Sequence, residues 1–245
     1  MKTGFITGAN KSIGFETARQ LLQKGYFIYL GSRDKARGEQ AVAQLKAEGL
    51  TQVMAVEINV SDGVSIEKAR QTIGALSASL DLLINNAGIS GGFPQEATKV
   101  SSAAVREVFD TNFFGVIDVT RAFLDLLLRS SAPVMVNVTS GLASLTLHSD
   151  PTWKYYAVKG GAYGPSKTAL NAYTVALAYE LRESPIRINA IDPGYTATDF
   201  NHHRGPGSVE GAAAFVVRYA TIGTDGPTGR YFSLDHEANG NESPW

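Results

Sequence analysis

The chain has 245 residues, 44% of them hydrophobic and 18% charged, with a net charge of −1 and no cysteine. That length suits one large α/β domain that buries enough apolar surface to fold without cross-links, and the near-neutral charge gives no pull toward nucleic acid or an anionic membrane. Without cysteine there can be no disulfide, thiol chemistry or thiolate metal site, and no stretch reaches the roughly 18 apolar residues of a membrane span. No charged leader or cleavage site precedes the first apolar run at Gly4-Phe5-Ile6, so a cytoplasmic location is the expectation.

In chain order, Lys2 to Thr7 reads as a strand that ends in the turn Gly8-Ala9-Asn10-Lys11-Ser12. Ile13 to Lys24 follows as a helix, with Phe15, Ala18, Leu21 and Leu22 at helical spacing and Gly25 as its stop. Tyr26 to Gly31 is a second strand. Asp34 to Glu48 is a helix with Ala41, Val42 and Leu45 on one face. Val53 to Ile58 is a third strand, and Ser61 or Asp62 caps a helix that runs through Leu76. Leu80 to Ile84 is a fourth strand, Ser101 to Arg129 a long helical region, and Pro133 to Val138 a fifth strand. Tyr163 to Glu183 is a helix, Ile186 to Ile191 a sixth strand, Val209 to Ala220 a helix, and Gly229 to Ser233 a short last strand. Alternating strands and helices predict a single Rossmann-type, doubly wound α/β domain: a parallel sheet of about seven strands with helices on both faces. Such sheets take their ligands beyond the carboxyl ends of the strands.

The first turn is placed for that task. Thr7-Gly8-x-x-x-Ser12-x-Gly14 joins the first strand to the first helix. A helix N-terminus offers free N–H groups to a pyrophosphate, and glycine lets the backbone approach it. Arg33 follows the second strand, where the ribose of the adenosine would lie. An arginine there accommodates a 2′-phosphate, whereas an acidic residue would bond a free 2′-hydroxyl. Lys11 adds a second positive charge, so NADPH/NADP+ is preferred to NAD.

The chain resembles the short-chain dehydrogenase/reductase family over its whole length. The resemblance rests on Thr7-Gly8-Ala9-Asn10-Lys11-Ser12-Ile13-Gly14, Asn85-Asn86-Ala87-Gly88, Asn112, Ser140, Tyr163-x-x-x-Lys167 and Pro193-Gly194, in that order. Gly31-Ser32-Arg33-Asp34 and Gly226-Pro227-Thr228-Gly229 look most like the carbonyl-reductase-like branch. The resemblance implies NADPH-dependent reduction of a ketone, aldehyde or quinone, with Asn112, Ser140, Tyr163 and Lys167 as the catalytic set. It implies cofactor contacts at Gly8, Asn10, Lys11, Ser12, Ile13, Gly14, Arg33, Asn59, Val60, Asn86, Ala87, Gly88, Tyr163, Lys167, Pro193, Gly194, Thr196 and Thr198. Two residues depart from the family pattern. Ser12 stands where glycine is usual, and a positive φ there would cost on the order of 1 kcal/mol. Asn59 stands where the family often has an Asp against adenine, although an amide can both donate and accept.

Two tyrosines compete for the catalytic position, since Tyr155 precedes Lys159 as Tyr163 precedes Lys167. The family places its Ser about a dozen residues before the Tyr, which favours Tyr155. The span from Tyr163 to Pro193 favours Tyr163, because a helix and a strand fix its length. Gly160-Gly161 would also break any helix begun at Tyr155. Tyr163 is therefore assigned, and about ten residues near Thr146–Tyr156 are read as an inserted substrate loop, as in the carbonyl-reductase branch. Lys167 lies one helical turn on, so its ammonium should lower the Tyr163 pKa. Ser140 would steady developing charge on the substrate oxygen, and the resemblance gives Asn112 a water that links Lys167 to solvent.

His148, His202, His203 and His236 lack metal-like spacing and read as surface residues, so no metal is expected. Asn137-Val138-Thr139 resembles a glycosylation acceptor but ends a buried strand. The expected partner is a small carbonyl or alcohol, with no nucleic acid or membrane and with a monomer or homo-oligomer equally compatible. The rival readings are an NADP(H)-binding sensor without turnover and an NAD-linked alcohol dehydrogenase.

Overall fold

The computed structural model describes residues 1–236 and 238–245. Strands β1 (Thr3–Ile6), β2 (Phe27–Ser32) and β3 (Val53–Glu57) alternate with helices α1 (Ser12–Gln23), α2 (Lys35–Ala47) and α3 (Gly63–Leu76). Then come β4 (Leu82–Asn85), α4 (Ser102–Phe109), α5 (Gly115–Leu127), β5 (Val134–Val138) and the short α6 (Leu145–His148). The chain ends with α7 (Tyr163–Glu180), β6 (Arg187–Asp192), α8 (Val209–Ala220) and β7 (Arg230–Ser233). All seven strands are parallel, in the order β3-β2-β1-β4-β5-β6-β7. This is the expected doubly wound sheet, last strand included.

Period-two alternation sends neighbouring strand residues to opposite faces. Ile6, Leu82, Ile84 and Val136 pack with α1, α2 and α8 through Leu21, Leu45 and Phe215. Phe5, Leu83 and Met135 pack the other way, with Ile73, Phe123 and Leu177 of α3, α5 and α7. Both faces are thus covered, which is why the strands read as near-continuous apolar runs. The strand order reverses between β1 and β4, and the crevice beyond their carboxyl ends is where such sheets take a ligand.

The expected long helix is α4 and α5 joined by a π-helical turn, Asp110–Phe114, with Asn112 buried inside it. Helix α7 stops at Glu180, three residues before the expected end. The region expected to be an inserted loop contains α6, and the C-terminal residues hold it down. Thr146 N donates to the Trp245 carbonyl at 3.0 Å, and Ser144 Oγ donates to the Pro244 carbonyl at 2.7 Å. The Trp245 ring stacks on Tyr231. No helix among the described residues is long and apolar enough to cross a membrane.

Candidate active site

The α1 turn differs from the starts of α2, α3, α4 and α8. Asp34, Asp62, Ser101 and Ser208 each cap their own helix by accepting a first-turn amide. Helix α1 has no side-chain cap and no acidic residue in its first turn. Its free amides and dipole therefore suit an anion. Ser12 has φ +52°, the left-handed conformation that its usual glycine would adopt without strain. Gly14 is required for a different reason. A Cβ there would lie 2.5 Å from Asn86 Nδ2 and 2.7 Å from the Gly8 carbonyl oxygen. Gly14→Ala is expected to cost about 1–3 kcal/mol through this overpacking, read as a lower urea midpoint at unchanged slope.

Asn86 braces this turn. Its Nδ2 donates to the carbonyls of Thr7 and Gly8 at 2.9 and 3.0 Å. Thr7 Oγ1 accepts from the amides of Asn86 and Ala87, both at 3.0 Å. The Asn86 side chain is thus engaged with protein, and Ala87 and Gly88 continue the same segment along the crevice. Asn10 and Ile13 sit half-buried in the turn. Lys11 reaches across the crevice and pairs with Asp199 Oδ2 at 3.1 Å, while the other carboxylate oxygen faces His203 Nε2 at 3.0 Å. The Lys11 ammonium holds the Asp199 carboxyl below its usual range. Such an exposed pair is worth at most about 1 kcal/mol.

Arg33 is exposed beside an open pocket of about 490 Å³, lined also by Asn59, Ser61, Arg106, Asp110 and Thr111. Asn59 Oδ1 accepts the Ser61 amide at 3.2 Å, and Val60 is buried under Gly115. At the far end of the crevice, Gly194 has φ +77° and its amide donates to Asp192 Oδ1 at 3.0 Å. Thr196 Oγ1 donates to the Pro193 carbonyl at 3.2 Å, and the buried Thr198 joins a capping box with Asn201.

The four expected catalytic residues converge between β4, β5 and α7. The Asn112 amide is fully engaged: Oδ1 accepts the Ile89 amide, and Nδ2 donates to the Ile89 carbonyl and Ser166 Oγ at 2.9 and 3.1 Å. Lys167 Nζ donates to the Val138 carbonyl at 2.8 Å. Ser140 lies two residues past β5, its Oγ accepts the Leu142 amide at 3.2 Å, and its hydroxyl acts on the Tyr163 phenol by favouring the ionised form. Tyr163 is the first residue of α7, and its amide donates to Oε1 of the buried Gln95 at 2.9 Å. Its ring packs against Phe200, with centroids 5.4 Å apart.

Tyr155 is elsewhere. Its hydroxyl donates to Asp235 Oδ2 at 3.3 Å, and Lys159 Nζ turns away to the His148 carbonyl. No helix joins the two, so the upstream spacing that favoured Tyr155 is explained by the extra residues around α6.

One expectation is reversed. Tyr163 does not have a lowered pKa: burial pushes the phenol well above its ordinary value, the Ser140 hydroxyl opposes this, and Asp192 adds to it. The lysine moves instead, since burial lowers Lys167 to about 8 against the opposing pull of Asp192. Desolvation outweighs the local charges in both groups. At neutral pH the pair is therefore a protonated phenol beside an ammonium, a geometry able to deliver a proton to a nearby oxygen.

Sequence reading passed over Gln95, Arg106, Asp192 and Asp199. Asp192 had a signal, as a charged residue closing an apolar strand directly before Pro193-Gly194. Gln95 had none, because its partners are set by the folded loop. Among the described residues, no group of three or more His, Asp or Glu could hold a metal ion.

Residues 2–208 match the family model described as short chain dehydrogenase. The short-chain dehydrogenase anuI of Penicillium roqueforti is 37% identical over 89% of this chain and 88% of its own. The (+)-neomenthol dehydrogenase of Capsicum annuum is 31% identical over 93% of this chain and 94% of its own. Among solved structures, salutaridine reductase from Papaver somniferum superposes with a TM-score of 0.82 at 27% identity, covering 96% of this chain and 100% of that one.

Proposed function

Because the chain belongs to the short-chain dehydrogenase family, we propose that it is an NADPH-dependent reductase that converts a ketone, aldehyde or quinone carbonyl to the alcohol, with Tyr163 as general acid. The observation that carries this reading is the meeting at the carboxyl edge of the sheet of Ser140, whose hydroxyl acts on the Tyr163 phenol, with Tyr163 and Lys167 one helical turn apart on α7. When bound, NADPH supplies the hydride. Tyr163 gives its proton to the carbonyl oxygen, and burial keeps that proton in place until it is needed. Ser140 Oγ donates to the same oxygen and stabilises its developing charge. Lys167 holds positive charge behind the phenol, and Asn112 fixes the Ile89 backbone at the crevice wall.

The residues fit this cofactor. The uncapped α1 amides suit the pyrophosphate, Arg33 suits a 2′-phosphate, and Asn59 and Val60 border the adenine end. Gly8, Gly14, Ala87, Gly88, Pro193, Gly194, Thr196 and Thr198 line the route between these points. Phe200 beside Tyr163, and Tyr195 edge-on to Tyr155, support an apolar, ring-bearing substrate. Relatives named as a neomenthol dehydrogenase and a salutaridine reductase are in keeping with this.

The test is NADPH oxidation with a panel of ketones, aldehydes and quinones. Consumption with at least one class is expected; intact binding with no consumption across the panel would overturn the reading. Arg33→Asp removes a charge-assisted contact of about 1.5–3 kcal/mol, so the preference for NADPH over NADH should fall roughly ten- to hundredfold. Equal use of both cofactors by the unmutated protein would refute that assignment. The pH profile follows from Lys167. The ammonium is present below about 8 and lost above it, so kcat/KM for NADPH should fall as pH rises through that value.

A further inference from the structure

Asp192 closes β6 with its carboxylate almost wholly buried, 3% exposed. Three loops converge on it. Oδ1 accepts the Gly194 amide at 3.0 Å, and Oδ2 accepts Ser233 Oγ at 2.6 Å. Gly141, next to Ser140, packs against the same carboxylate, so closely that a Cβ there would lie 3.2 Å from Oδ2. Burying a charge requires strong compensation, and this carboxylate is retained where two hydrogen bonds help supply it. Its place relative to the lysine follows from the strand register. Val138 pairs with Ile191, Lys167 Nζ bonds the Val138 carbonyl, and Asp192 is the next residue along β6. Adjacent strands lie about 4.8 Å apart, which puts the carboxylate near the ammonium in a water-poor site.

We infer that Asp192 is a positioning residue for the reaction proposed above: it anchors the Ser140 turn and serves as the buried counter-charge that keeps Lys167 protonated. The groups facing it are Tyr163 and Lys167 on α7, Tyr231 and Ser233 on β7, Asp235 just beyond, and the Gly141 and Gly194 amides. Tyr231 also donates to the Ser140 carbonyl at 2.8 Å, so β7 holds that turn at a second point. The carboxyl titrates at about 6, raised by burial and by Asp235 and opposed by Ser233 and the Gly194 and Gly141 backbone. It is therefore ionised at neutral pH, where it favours the charged lysine and disfavours a phenolate. The inference rests on Tyr163 and Lys167 being the acid–base pair.

The test uses the whole chain and reads the lysine directly, by side-chain nitrogen NMR across a pH series, without turnover. Asp192→Asn keeps the shape and removes the charge. The Lys167 midpoint should move about one pH unit or more below its wild-type value, and the alkaline fall of kcat/KM should move with it. Linkage requires the reverse effect as well: in Lys167→Met, the Asp192 carboxyl midpoint should rise. That second variant keeps the test open if Asp192→Asn does not fold. Unchanged midpoints would overturn the inference even if the wild type reduces carbonyls. A wild type that oxidises no NADPH, with the midpoints shifted as stated, would instead sink the proposed reaction and leave the charge coupling standing.

Discussion

The Tyr163→Phe protein is expected to fold, to bind NADPH, and to turn over about 10²- to 10⁴-fold more slowly than the wild type, the range associated with loss of a positioned general acid. The ring remains to pack against Phe200, and the α7 start is still held through the Gln95 bond to the residue 163 amide. Only the hydroxyl is lost, so the effect should appear in kcat and not in the thermal midpoint. Tyr155→Phe is the control. Its hydroxyl serves Asp235 at 3.3 Å, on the loop after α6, and its ring is kept, so kcat should stay within a few-fold of wild type. A Tyr155→Phe protein as impaired as Tyr163→Phe would reverse the assignment.

Ser140→Ala is expected to lower kcat about 10²- to 10³-fold, corresponding to one lost donor at a developing oxyanion. The backbone around it is independently fixed. Tyr231 bonds the residue 140 carbonyl, and Gly141 packs against the Asp192 carboxylate. The turn should therefore keep its shape, although the 3.2 Å bond from the Leu142 amide to Ser140 Oγ is lost. The separating measurement is the ratio of effects: kcat falls while the dissociation constant for NADPH, read by fluorescence titration, stays near wild type. Equal losses in both would mean that the substitution disturbs the cofactor crevice and not the chemistry.

The sheet was legible because each part of it is encoded locally. Buried parallel strands give apolar runs such as Leu82 to Ile84, and the helices between them carry their own caps, Asp62 and Ser101 among them. The turn between β1 and α1 was legible for the same reason, and Ser12 within it takes the left-handed backbone. The site was legible only in part. Residue types at fixed spacing on α7 pointed to Tyr163 and Lys167, but the direction of the Tyr163 pKa depends on burial, which no spacing encodes. The π-helical turn at Asn112 and the bracing role of Asn86 depend on partners 23 and 79 residues away. Asp192 meets Ser233 only because β6 and β7 are adjacent, 41 residues apart in sequence.

The central claim is that this chain moves a hydride from NADPH to a carbonyl carbon while Tyr163 protonates the oxygen. The direct measurement is product analysis after incubating the wild type with a ketone and NADPH deuterated at its transferable position. Deuterium on the carbinol carbon of the alcohol, formed by the wild type and only in trace by Tyr163→Phe, is the predicted result. Alcohol without deuterium, or equal labelled product from both proteins, would contradict it.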